Sequence, residues 1–135
     1  MYLLDTNVVS EFRKPRPHGA VVAWLSAVDD TDLNISAVTL GEIQAGIELT
    51  REQDAAKAAV IELWADQVAD TYNVLPMTAE IFRLWAKLMH KQSDTVNEDD
   101  AMVAATAIVN KLTVVTRNVN DFERFGVKII NPFSS

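Results

Sequence analysis

MYLLDTN (residues 1–7) is an apolar run of strand length that stops on a carboxylate, Asp5, with Thr6 and Asn7 directly after it. The run reads as a buried strand. An acid at its end can cap the helix that follows, or it can meet other acids in a shared site. Which of the two holds depends on what the rest of the chain delivers to the same place.

Four more segments have strand character. DLNIS (32–36) alternates apolar and polar residues, and NVLP (73–76), TVVT (113–116) and VKII (127–130) bring the candidates to five. Helical patterns lie between them. Val21 or Val22, Leu25 and Val28 share a face, as do Val60, Leu63, Trp64 and Val68. Ile81, Leu84, Trp85, Leu88 and Met89 form the clearest stripe, behind a good N-cap, Thr78. Trp24, Trp64 and Trp85 read as packing residues rather than platforms for a base. Strands alternating with helices predict an α/β domain with a mainly parallel sheet and helices on both faces. RKPRPHG (13–19) reads as a basic, proline-broken loop, and QSDTVNEDD (92–100) as a polar loop into the next helix. No repeat or second domain is evident, so residues 1–135 are expected to form a single domain.

Composition narrows the function classes. The 135 residues include no cysteine, which removes disulfides, thiol catalysis and thiolate metal sites and fits a cytoplasmic protein. The longest apolar run, AMVAATAIV (101–109), is too short for a membrane span, and no basic region precedes the N-terminal apolar run. Two histidines, His18 and His90, stand far apart and read as surface residues, not as a zinc site. A net charge of −7 argues against a general nucleic-acid binder, but not against an enzyme that meets nucleic acid through bound cations. A dinucleotide fold is disfavoured by four glycines and no GxGxxG.

The acids that could join Asp5 each have a simpler explanation. On a helix, Glu42 neighbours Val38, Thr39, Ala45 and Gly46, a face that looks packed, where an unpaired carboxylate is costly. Equally, Thr39-Leu40-Gly41-Glu42 matches a capping box. Asp99 and Asp100 open an apolar helix, where acids are favoured by the helix dipole. Asp121, in NVNDFERF, can cap a short helix. In a parallel sheet Asp5, Ser36, Thr116 and Asn118 stand at carboxyl ends of strands, where ligands bind. Three or four carboxylates converging there would raise one another's pKa, and a divalent cation would reverse that penalty. Carboxylate oxygens suit Mg2+ or Mn2+, and such an ion supports phosphodiester hydrolysis.

LLDTNVVSE (3–11), SAVTLGEIQAG (36–46), DAMVAATAI (100–108) and LTVVTRNVNDF (112–122) together resemble the PIN-domain ribonucleases, in particular VapC-type toxins of toxin–antitoxin modules and their FitB-like subgroup. The likeness runs through the closing NPF (131–133). It implies a three-layer α/β/α sandwich around a five-stranded, mainly parallel sheet, and an endoribonuclease dependent on Mg2+ or Mn2+. It implies Asp5, Glu42 and Asp100 as metal ligands, Asp100 rather than Asp99 because it directly precedes the AMVAATA run. Asp121 is the acidic candidate for a fourth place, with Asn118 and Thr116 in support. Thr6 and Asn7 would orient Asp5, and Ser36 would line the pocket. RNA substrate, a small VapB-like antitoxin over the acidic cleft and a homodimer, assembling into a heterotetramer or larger with the antitoxin, are the implied partners, with DNA met only through the antitoxin. Arg13, Lys14, Arg16 and Arg117 are candidates for RNA or antitoxin contact. Two rival readings are a catalytically silent antitoxin-binding protein and an aspartyl-nucleophile phosphohydrolase, which would want an acid where Asn7 stands.

Overall fold

The computed structural model describes residues 1–92 and 96–134, so residues 93–95 of the expected polar loop lie outside the described residues. Five strands, β1 (Tyr2–Leu4), β2 (Leu33–Ser36), β3 (Asn73–Leu75), β4 (Thr113–Val115) and β5 (Ile129–Ile130), lie where the sequence places them. They form one sheet in the order β3-β2-β1-β4-β5, and every pairing is parallel. The helices are α1 (Thr6–Val9), α2 (Gly19–Ser26), α3 (Ala37–Gln53), α4 (Ala55–Thr71), α5 (Ala79–His90), α6 (Glu98–Asn110) and α7 (Val119–Glu123).

Strand side chains alternate between faces, and that alternation builds the three layers. Leu3 and Val114 enter a core with Ala104, Ala107, Phe122 and Phe125. Leu4 and Val115 enter the opposite core with Val8, Val21, Ile43 and Ile47. Helix α6 packs closely because its buried residues are small, Ala101, Ala104, Ala105 and Ala107 among them. It stops at Lys111, whose φ of 57° turns the chain left-handed into β4. The tryptophans pack as expected: Trp24 and Trp64 against one core, Trp85 against the other.

Two sequence expectations fail here. Helix α4 buries Ala58, Ala65 and Val68, while Val60 and Leu63 are 68% and 65% exposed. Its packed face is set by small alanines against α3, which a count of large apolar residues overlooks. The capping box at Thr39–Glu42 does not form either, because Ser36 is the N-cap of α3 and Thr39 lies inside the helix.

Candidate active site

Crossovers from β1 lay down β2 and β3 on one side, and β4 and β5 stand on the other, so the strand order reverses between β1 and β4. Open α/β sheets bind ligands at that reversal, beyond the carboxyl ends of the strands. Asp5 directly follows β1 and Thr116 directly follows β4. The Asp5 N–H donates to the Val115 carbonyl at 2.9 Å, which locks the two strand ends together.

Asp5 is only 5% exposed. One carboxylate oxygen accepts from the Thr6 N–H at 2.9 Å. The other accepts from the Thr116 hydroxyl at 2.8 Å and the Asn7 amide at 3.1 Å. Asp5 is therefore the N-cap of α1 and also the end of a network that reaches across the sheet. Burial raises its pKa, these hydrogen bonds oppose the rise, and the charge of Asp121 adds to it.

Glu42 does not lie on a packed face. The buried side of α3 is Thr39, Ile43 and Ile47, and Glu42 stands exposed in the second turn. The Thr6 hydroxyl donates to its Oε1 at 3.2 Å. Partial loss of hydration, together with the charges of Asp99, Asp5 and Asp100, pushes Glu42 up to about 7 against that hydrogen bond.

Asp99 and Asp100 occupy the first turn of α6, and the cap is Asn97, whose Oδ1 accepts from both N–H groups at 2.8 and 3.1 Å. Burial and then the charges of Asp5, Asp121 and Asp99 push Asp100 up to about 6. Asp99 is the like-charge neighbour that acts most on Glu42. Asp100 is thus coupled to Asp5 and Asp121, and Asp99 to Glu42. Asp121 is not a cap; it sits within α7 behind Asn118. It shares a cavity of 150 Å³ with Val96, Asn97, Asp100 and Arg124.

Thr116, fully buried, is the hub that joins these parts. Its oxygen accepts from the Asn118 N–H at 2.9 Å and the Asn7 amide at 3.3 Å. Asn7 Oδ1 in turn accepts from the Arg117 N–H at 3.1 Å. Ser36 does not line the pocket: it is fully buried and its hydroxyl caps α3 by accepting from the Val38 N–H. Among the basic candidates, Arg13 lies 5.8 Å over the Trp64 ring and, with Thr6 and Glu42, lines a 310 Å³ cavity. Lys14 pairs with Glu11 at 2.9 Å, and Arg16 is exposed. His18 is not a plain surface residue, since its Nδ1 accepts from the Ala20 N–H and caps α2.

Two residues near the site escaped the sequence reading. Glu11 is buried, accepts from the His18 N–H at 2.9 Å and, held low by its Lys14 partner, ties down both ends of the basic loop. Its three-residue spacing from Lys14 was the available signal. Phe133, which closes the NPF likeness without a role being read for it, lies against Arg117 from the far end of the chain.

The acids around the cleft offer only carboxylate oxygens, a donor set that fits a hard divalent cation. Among the described residues no three acidic or histidine side chains stand close enough, as placed, to hold one ion. What they share is mutual repulsion, which adds to burial in raising the pKa values of Asp5, Glu42 and Asp100.

The chain is 34% identical to the VapC ribonuclease Y4jK of Sinorhizobium fredii across 98% of both proteins. It is 31% identical to the toxin FitB of Neisseria gonorrhoeae across 98% of this chain and 99% of that one. Its structure matches a chain in the crystal structure of FitAcB from Neisseria gonorrhoeae with a TM-score of 0.89, 30% identity and full coverage of both chains. The family model for the PIN domain matches residues 2–128, and on these findings the chain belongs to the PIN-domain family.

Proposed function

We propose that this protein is a divalent-metal-dependent endoribonuclease that acts as the toxin of a toxin–antitoxin pair. The observation that carries the reading is the convergence of Asp5, Glu42, Asp99, Asp100 and Asp121 on the cleft where the strand order reverses, each raising the cost of charge on its neighbours. The ribonuclease and toxin names of its full-length relatives support it.

Asp5, Glu42 and Asp100 would hold Mg2+ or Mn2+, with Asp121 and Asp99 adding negative charge around them. A bound cation would activate water and stabilise charge on the scissile phosphate. The chain's own part is positioning. Thr116, Asn7 and the Thr6 amide favour the charged form of Asp5 against its burial and fix its carboxyl, and the Thr6 hydroxyl aims Glu42. His18 is committed as a helix cap and His90 is exposed at the end of α5, so neither serves as a base in the cleft. Asn7 stands two residues after Asp5, where a phosphoaspartate mechanism would want a second acid, and is committed as a donor to Asp5 and Thr116.

A small antitoxin with a basic side chain would neutralise the same acids, and a homodimer is the assembly expected of the free toxin. The test is calorimetric titration of Mn2+ into antitoxin-free protein, wild type beside Asp5→Asn, with RNA cleavage followed in the same samples. Metal binding and cleavage in the wild type alone support the reading. Equal behaviour of the two proteins overturns it in favour of a catalytically silent, antitoxin-binding role.

A further inference from the structure

An acidic cleft that cuts RNA needs a cation of its own to seat the strand. Of the four basic candidates, Lys14 is neutralised by Glu11, Arg16 sits out in the exposed loop, and Arg13 lies over Trp64 in the cavity lined by Thr6 and Glu42, with no hydrogen bond to the Asp5 network among the described residues. Arg117 is placed differently. Its N–H is held by Asn7, and the residue before it, Thr116, donates to Asp5. Its guanidinium lies 3.9 Å from the centre of the Phe133 ring and makes no ion pair among the described residues.

An exposed guanidinium lowers its energy by pairing with a carboxylate, and the acid that Arg117 helps to hold low is Glu11, which is already paired with Lys14. Here an aromatic face attracts the cation without cancelling its charge. Phe133 is itself fixed. Its N–H donates to Asn131 Oδ1 at 3.0 Å, Pro132 before it is buried, and the His18 ring meets it edge-on at 5.2 Å. The strand leading to this tail is tied to the site by the Thr116 N–H, which donates to the Ile130 carbonyl at 3.0 Å. The C-terminal Asn131–Phe133 turn thus holds a charged guanidinium, without an ion pair among the described residues, on a residue whose N–H is bonded into the Asn7–Thr116–Asp5 network.

We propose that Arg117 is the residue that grips a phosphate of the RNA strand entering this cleft, and that Phe133 is the positioning residue that orients its guanidinium. This rests on the ribonuclease reading for the identity of the anion. The test measures binding and cleavage separately. Binding is followed by fluorescence anisotropy of a labelled single-stranded RNA in Ca2+ across a salt series, for wild type, Arg117→Ala, Phe133→Tyr and Phe133→Leu. Arg117→Ala is expected to weaken binding about tenfold. It should also flatten the slope of log affinity against log salt by about 0.7, the loss of one phosphate contact to a single strand. Phe133→Tyr, which keeps the aromatic face, should bind as wild type, and Phe133→Leu should move toward Arg117→Ala. Wild-type affinity in Arg117→Ala, or weaker binding with an unchanged salt slope, overturns the proposal. If the wild type cuts no RNA in Mn2+ while the Arg117-dependent salt slope persists, the ribonuclease reading fails and the phosphate contact stands.

Discussion

The Thr116 hydroxyl donates to the Asp5 carboxylate at 2.8 Å, joining the residues that end the two strands between which the sheet order reverses. Each residue is nearly or wholly buried, so this bond fixes the acid from which the site is built.

Replacing Thr116 by Val keeps the shape and removes that donor, together with the acceptor used by Asn118 and Asn7. Asp5 loses the strongest of the bonds that hold its pKa down, so its pKa rises further. A buried carboxylate left short of a donor costs about 1–3 kcal/mol. Urea unfolding should show that loss at pH 7.5, shrinking at acid pH where Asp5 is protonated. Mn2+ affinity should fall with it. A Thr116→Val protein that matches wild type in both measurements at pH 7.5 would show the bond to be incidental.

The raised acids also set a pH dependence. Glu42 moves from 4.5 to about 7 and Asp100 from 3.8 to about 6, so across that interval the folded protein binds more protons than the unfolded chain. Stability then falls as pH rises through this window, since its slope follows the protons bound by the unfolded state minus those bound by the folded one. These groups therefore make the metal-free protein more stable near pH 4.5 than near pH 7.5. Mn2+ should stabilise the protein more at pH 7.5 than at pH 4.5. Thermal melts with and without Mn2+ at the two values check this, and a Mn2+ shift independent of pH would contradict it.

The strands and the Ile81–Met89 stripe were legible because each is written locally, as an apolar run or a period. What was not legible depends on partners distant in sequence. Glu42 looked packed because its helical neighbours are small and apolar, yet the side of α3 that meets the core is Thr39, Ile43 and Ile47. Val60 and Leu63 looked buried by type, but close α3–α4 packing favours Ala58 and Ala65. Phe133 reaches Arg117 only through the parallel pairing of β4 with β5.

Asp99 and Asp100, adjacent in sequence, should separate by substitution. Asp99 is the foremost like charge on Glu42, whereas Asp100 responds to Asp5 and Asp121. Asp99→Asn should lower the Glu42 pKa and reduce Mn2+ affinity only modestly. Asp100→Asn should remove most Mn2+ binding and cleavage, because it takes a carboxylate from beside Asp5. Carboxylate NMR titration of the two variants, paired with Mn2+ calorimetry, distinguishes them; the reverse ranking would move the ligand to Asp99.

Ser36 gives the opposite kind of prediction. It was expected to line the pocket, but its buried hydroxyl accepts from the Val38 N–H and starts the helix that carries Glu42. Ser36→Ala should cost about 1 kcal/mol of stability through the lost cap. It should leave Mn2+ affinity and cleavage per folded molecule close to wild type, because Glu42 stays aimed by Thr6 from α1. Urea unfolding combined with cleavage assays well below the unfolding transition makes the separation. Loss of metal affinity without loss of stability would return Ser36 to the site.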